Sequence, residues 1–64
     1  MDTIDQIDFE WEDEYMLRGK CALKITHPDM QPTIGEHVLI EGVERKVTNI
    51  CHDMTQGKSR IFLS

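Results

Sequence analysis

The sequence predicts an all-β fold, a small antiparallel sheet of five strands curled on itself, on three observations. Apolar and polar residues alternate with a period of two over long stretches. Short polar segments carrying glycine separate those stretches. The chain has 64 residues, room for one domain spanning residues 1–64. A domain of this size buries only about 60% of the surface its unfolded chain exposes. Its core is therefore thin, and a partner or self-association is expected in its working state.

The clearest alternation runs from Tyr15 to Thr26. Tyr15, Leu17, Gly19, Cys21, Leu23 and Ile25 take one face, and Met16, Arg18, Lys20, Ala22, Lys24 and Thr26 take the other. Upstream, Ile7, Phe9 and Trp11 alternate with Asp8, Glu10 and Glu12. A hairpin turning at Glu12-Asp13-Glu14 would set Trp11 opposite Tyr15, Phe9 opposite Leu17 and Ile7 opposite Gly19. Its outer face would pair Asp8 with Arg18, with Glu10–Arg18 and Asp8–Lys20 as diagonals. A helix competes for residues 4–17. Thr3-Ile4-Asp5-Gln6 reads as a capping box, Ile4, Ile7, Trp11 and Tyr15 keep helical spacing, and Gly19 could end it. That alternative is an α+β fold, one helix on a four-stranded meander. Strand is preferred because Phe9 falls off the helical stripe and the long alternation would be cut short.

The rest of the chain reads as strands and turns. Residues 27–35 hold both prolines and Gly35 and form a loop. Glu36 to Glu41 is a strand with Val38 and Ile40 inward. Glu41-Gly42-Val43-Glu44 is a turn with Gly42 at positive φ. In the strand from Arg45 to His52, Val47 and Ile50 break alternation and imply a bulge. Residues 53–58 make a second polar turn, and Ser59 to Leu63 closes the chain with Ile61 and Leu63 inward. Five strongly twisted strands at this length curl into an SH3/OB-like barrel. The stretch Gly35-Glu36-His37-Val38-Leu39-Ile40-Glu41-Gly42, followed by Lys46-Val47-Thr48-Asn49-Ile50, resembles the hairpin of many small barrels. Translation-factor β-barrel domains and phage head–tail adaptor proteins show something similar. The likeness covers about half of the chain and implies a fold, not a function.

Charge is uneven. The net charge is −5, and residues 1–15 carry seven acids and no base, whereas residues 16–64 carry all seven bases against five acids. In the hairpin register above, Asp2, Asp5, Glu12, Asp13 and Glu14 stay unpaired and form an acidic edge for a basic or nucleic-acid-binding host or partner protein. With Val38, Ile40, Ile61 and Leu63 inward, Leu39 and Phe62 face outward from neighbouring positions in their strands and are the expected apolar half of that surface.

The other chemistries are weaker. Cys21, Cys51, His27, His37 and His52 could ligate metal, but they lack closely spaced ligand pairs, so core thiols and surface histidines are expected and no cofactor. The serines, Ser59 and Ser64, sit in no nucleophile elbow, and Cys51 and His52 point to opposite faces of a strand. No enzyme is expected. Direct nucleic-acid binding is opposed by the net charge, although Arg45, Lys46, Lys58 and Arg60 could form a basic rim. With an acidic N-terminus, apolar runs of three residues at most and two cysteines, the chain reads as cytoplasmic, with no membrane contact. The expected function is a non-enzymatic interaction module. Small size and an acidic edge resemble the inhibitors that phages and mobile elements aim at host machinery. The alternative is a structural subunit, such as a head–tail connector or ring-forming adaptor, that meets its own copies as a homo-oligomer.

Overall fold

The computed structural model describes residues 10–64. It contains β1 (Glu12–Leu17), β2 (Lys20–Thr26), β3 (His37–Ile40), β4 (Val43–Asp53) and β5 (Lys58–Leu63), and no helix among the described residues. The five strands form one sheet in the order β2-β1-β5-β4-β3. Three neighbouring pairs are antiparallel, and β1 runs parallel to β5. The small all-β fold is as the sequence predicts, but its sheet is mixed rather than purely antiparallel. It is barrel-shaped and nearly closed, with β2 and β3 at its edges. Strand, not helix, is the conformation of residues 12–17.

The N-terminal half corrects the expected hairpin. Residues 12–14 lie inside β1, and the chain turns instead at Arg18-Gly19. Both turn residues have positive φ, 54° and 79°, the mirror-image two-residue turn whose twist matches a hairpin. Tyr15 therefore lies opposite Leu23, not Trp11. The expected partners Ile7, Asp8 and Phe9 lie outside the described residues. The turn stayed hidden for a reason of parity. Near it, Leu17 pairs with Lys20 and Met16 with Cys21, so odd positions face even ones. Between Met16 and Tyr15 the register shifts by one, and Tyr15 pairs with Leu23 and Asp13 with Ile25. Ala22 is the extra residue of this bulge. The turn inverts the parity and the bulge restores it. The sequence consequently alternates without a break through a complete reversal of chain direction.

A second bulge behaves as expected. Val47 pairs with Leu63, Asn49 with Phe62 and Ile50 with Ile61, so Thr48 is the additional residue and Val47 and Ile50 share the inner face. The β3–β4 turn is Glu41-Gly42, again positive at both residues, 54° and 82°. Residues 54–57 form the last turn, ending in Gly57 at φ 69°.

Tyr15, Ile40, Val47, Ile61 and Leu63 make the core, with Leu17, Val38 and Ile50 packed against it. Both cysteines are exposed, against the expectation of core thiols. The two bulges explain this. One turns Cys21 to the outer face beside Met16, and the other leaves Ile50 inward and Cys51 outward opposite Arg60. On β2, Leu23 and Ile25 reach the inner face only at the rim and keep 40% and 38% of their surface. As an edge strand, β2 is guarded by Lys20, Lys24 and its bulge, features that discourage pairing with another sheet.

Two outcomes follow. Glu41 holds a left-handed conformation that costs a side-chain-bearing residue roughly 1 kcal/mol and that asparagine tolerates better. Glu41→Asn should raise stability by about 0.5–1 kcal/mol in urea unfolding, with unchanged slope. Burial, and then the charges of Asp13 and Glu36, push the Tyr15 hydroxyl above its ordinary value of 10.0. The folded state thus holds this proton more tightly than the unfolded one. Its contribution to stability is full below pH 10 and declines as pH rises towards the raised folded value. Phenolate absorbance of this single tyrosine should appear together with alkaline unfolding, and Tyr15→Phe should remove that component of the pH dependence.

Candidate functional site, an acidic sheet end with a tryptophan-lined pocket

The strand order gathers charge at one end of the sheet. There β1 begins, β2 ends, β4 ends and β5 begins, with Thr26, Glu12, Lys58 and Asp53 in one row across the strands. Glu10 and Asp29 adjoin that row along the chain. Asp13 is one step inward and fully enclosed. Among the described residues, the only base in this row is Lys58, and its ammonium turns to Glu14 at 3.3 Å. Carboxylates thus dominate this end, whereas Arg18, Lys20, Arg45 and Lys46 lie towards the other, where Glu41 and Glu44 accompany them. The expected basic rim is split accordingly, because Lys58 and Arg60 belong to the start of β5 and Arg45 and Lys46 to the start of β4.

The acids expected to form the partner surface part company. Asp2 and Asp5 lie outside the described residues. Glu12 is half-buried at the sheet end, its backbone N–H donating to the Gly57 carbonyl. Glu14 is buried on the outer face among Lys58, Arg60 Nε at 3.4 Å and Lys24 at 4.0 Å. It belongs to the chain's own ion-pair cluster, because parallel pairing sets β5 bases beside it. Asp13 faces inward opposite Ser59 and Ile25. Both Asp13 and Glu14 are buried, at 0% and 9% exposure. The apolar half of the expected surface also separates. Leu39 is 70% exposed opposite Glu44, and Phe62 is half-buried opposite Asn49 and Met16. Their partners on β4, Glu44 and Asn49, are five positions apart, and β4 itself runs between the two side chains, so Leu39 and Phe62 are not neighbours.

A polar cluster at the acidic end, invisible in the linear pattern, replaces them. Gln31, from the loop after β2, donates from Nε2 to Asp13 Oδ1 at 2.9 Å and to Ser59 Oγ at 3.1 Å. Trp11 Nε1 donates to the same Ser59 oxygen at 3.1 Å. His52 Nδ1 lies 2.7 Å from it. The proton count fixes the directions. A hydroxyl oxygen accepts two hydrogen bonds and donates one, and indole and amide nitrogens here can only donate. Both Ser59 acceptor positions are taken, so its hydrogen goes to His52 Nδ1. His52 is then the neutral form protonated at Nε2. The reverse orientation of the Gln31 amide would set its oxygen against the Asp13 carboxylate, which fixes that side chain as well.

Serine, histidine and aspartate in one cluster suggest nucleophilic chemistry, but the connections differ. Asp13 is bound to Gln31 rather than orienting His52, and Ser59 is 0% exposed with both lone pairs engaged. The cluster instead fastens the loop and the entry of β1 to β5 and β4. Asp13 Oδ2 is buried and has no hydrogen-bond partner among the described residues.

Beside the cluster opens a pocket of about 370 Å³, lined by Trp11, His27, Pro28, Asp29, Met30 and Gln31. Its position follows from backbone pairing. The His27 N–H donates to the Trp11 carbonyl at 2.8 Å, and His27 takes a positive φ of 56°. There the chain leaves the sheet, and Gln31 ties it back four residues later. Among the potential metal ligands, no group of three or more His, Cys, Asp or Glu converges in the described residues. No helix of the described residues is long and apolar enough to cross a membrane. Sequence reasoning missed Gln31 and Ser59 because neither departs from ordinary loop or strand composition. In the expected hairpin Trp11 shares the face of Tyr15, and its polar nitrogen is the signal of a required partner.

Ser59→Ala should remove the acceptor shared by Trp11 and Gln31 and the hydroxyl bonded to His52, lowering stability by about 1–3 kcal/mol in urea unfolding. Nitrogen chemical shifts of the imidazole should show His52 protonated at Nε2 at neutral to alkaline pH. A predominant Nδ1–H form would contradict the proton count.

Compared with protein-family models, curated proteins and solved structures, the chain matches none of them.

Proposed function

We propose that the protein is a non-enzymatic, cytoplasmic interaction module, an inhibitor or adaptor that acts by occupying a basic surface on another protein. The single observation that carries this reading is the uneven placement of charge, with Glu10, Glu12, Asp29 and Asp53 at one sheet end and Arg18, Lys20, Arg45 and Lys46 towards the other. Such separation favours encounter with a positively charged surface in one orientation. It also opposes contact between that end and nucleic-acid phosphates. The surface differs from a plain acidic N-terminal edge. Glu12 remains in it, Asp13 and Glu14 leave it, and Glu10, Asp29 and Asp53 join it.

A second reading, a subunit that assembles with its own copies, is favoured by β2, an edge strand exposed along all seven residues with Leu23 and Ile25 on it. The guarding lysines and bulge weigh against it.

The test compares capture from source-cell lysate by the wild type, by Glu10→Lys plus Glu12→Lys, and by Lys20→Glu. A partner held by wild type and Lys20→Glu, lost on acid reversal and released by added salt, is the expected result. Capture indifferent to both salt and acid reversal would defeat the proposal. Light scattering separates the second reading. A mass well above 7.5 kDa, reduced by Leu23→Lys, would establish assembly, whereas a persistent monomer would exclude it.

A further inference from the structure

We propose that the pocket between Trp11 and the loop after β2 receives an arginine side chain of the partner. This rests on reading the protein as a partner-binding module and names the chemistry its acidic end selects. The volume, about 370 Å³, suits one long side chain or a small ligand. Its apolar wall is Trp11, Pro28 and Met30, and Met30 is 82% exposed, with little of its own chain against it. Its polar wall is His27, Asp29 and Gln31.

Charge decides between classes of occupant. Asp29 lies in the pocket, and Glu10 and Glu12 belong to the same sheet end. Behind Gln31, Asp13 adds a buried carboxylate oxygen that no donor among the described residues satisfies. Gln31 cannot turn out to meet an anion, because both its amide hydrogens are committed to Asp13 and Ser59. A phosphate or carboxylate ligand would meet repulsion here. A purely apolar ligand would bury Asp29 against nothing. A cation with an apolar stem satisfies both walls.

Arginine fits better than lysine. A planar guanidinium can lie on an indole face while donating two parallel hydrogen bonds to a carboxylate, and it is less strongly hydrated than an ammonium. Trp11 supplies the indole and Asp29 the carboxylate, while Pro28 and Met30 suit the methylene stem. The wall is also set in advance, since Trp11 and Gln31 are both anchored on Ser59. Those two side chains need no ordering on binding.

The test titrates three glycine–serine peptides into the intact protein, each carrying two copies of arginine, citrulline or lysine. Fluorescence of this single tryptophan and the Met30 methyl signal report the pocket. Citrulline keeps the shape of arginine and removes its charge. A saturable response to the arginine peptide is expected, roughly tenfold weaker with citrulline and severalfold weaker with lysine. Asp29→Asn, an exposed change outside the Ser59 cluster, should weaken the arginine response severalfold while unfolding as wild type does. Equal responses to arginine and citrulline, or an arginine response unaffected by Asp29→Asn, would overturn the proposal. So would the absence of any saturable response from protein that is folded by amide dispersion. Lysate capture keeps the two ideas apart. Capture lost on Glu10→Lys plus Glu12→Lys but untouched by Asp29→Asn would retain the binding module and reject the pocket. An arginine response without any captured partner would reject the module reading.

Discussion

The parallel pairing of β1 with β5 is the constraint on which the rest of the molecule depends. Without it the chain would be a β1–β2 hairpin and a separate β3–β4–β5 meander, and two- or three-stranded pieces of this size are marginal in water. The pairing sets Tyr15 beside Ile61 and Leu17 beside Leu63, which joins the two halves into one core. It also sets Asp13 beside Ser59 and Glu14 beside Arg60. The buried polar cluster and the ion-pair cluster are therefore opposite faces of the same ladder. Antiparallel neighbours can be joined by a tight turn, but a parallel pair needs a long connection. Here β2, β3 and β4 together form that connection.

The opposing fates of neighbouring acids follow from this ladder. Asp13 and Glu14 are adjacent in sequence and point to opposite faces, as strand geometry requires. One is surrounded by Lys24, Lys58 and Arg60, and the other meets a neutral glutamine and a serine. A run of acids that looks like one surface is in fact divided among three environments. Glu12 and Glu10 remain at the sheet end, Glu14 is neutralised locally, and Asp13 enters the interior. Burying a carboxylate is costly unless it is hydrogen-bonded, and among the described residues only one of its two oxygens has a donor. The other lies behind the pocket wall and adds to the negative field of the acidic end.

The Ser59 hydroxyl does for side chains what the ladder does for the backbone. It is a single small group that accepts from the first residue before β1 and from the loop after β2, and donates to the end of β4. Removing it would loosen three segments together. The pocket takes its shape from the segments so fastened.

Period-two alternation was enough to specify an all-β chain, because burial on one face of a sheet imposes that pattern locally. Turn chemistry around Gly42 and residues 53–58, and the Val47–Ile50 bulge, were legible for the same reason. The reversal at Arg18-Gly19 was not, since a two-residue turn and a one-residue bulge cancel in parity and leave the pattern intact. Nor does alternation say which strands become neighbours. The β1–β5 partnership, the exposure of Cys21 and Cys51, the separation of Leu39 from Phe62 and the meeting of Trp11, Gln31, His52 and Ser59 all depend on contacts between residues far apart in the chain. Local sequence determined strand and turn, and only the closed set of pairings decided which side chains meet, because a strand's hydrogen bonds are alike whatever partner completes them.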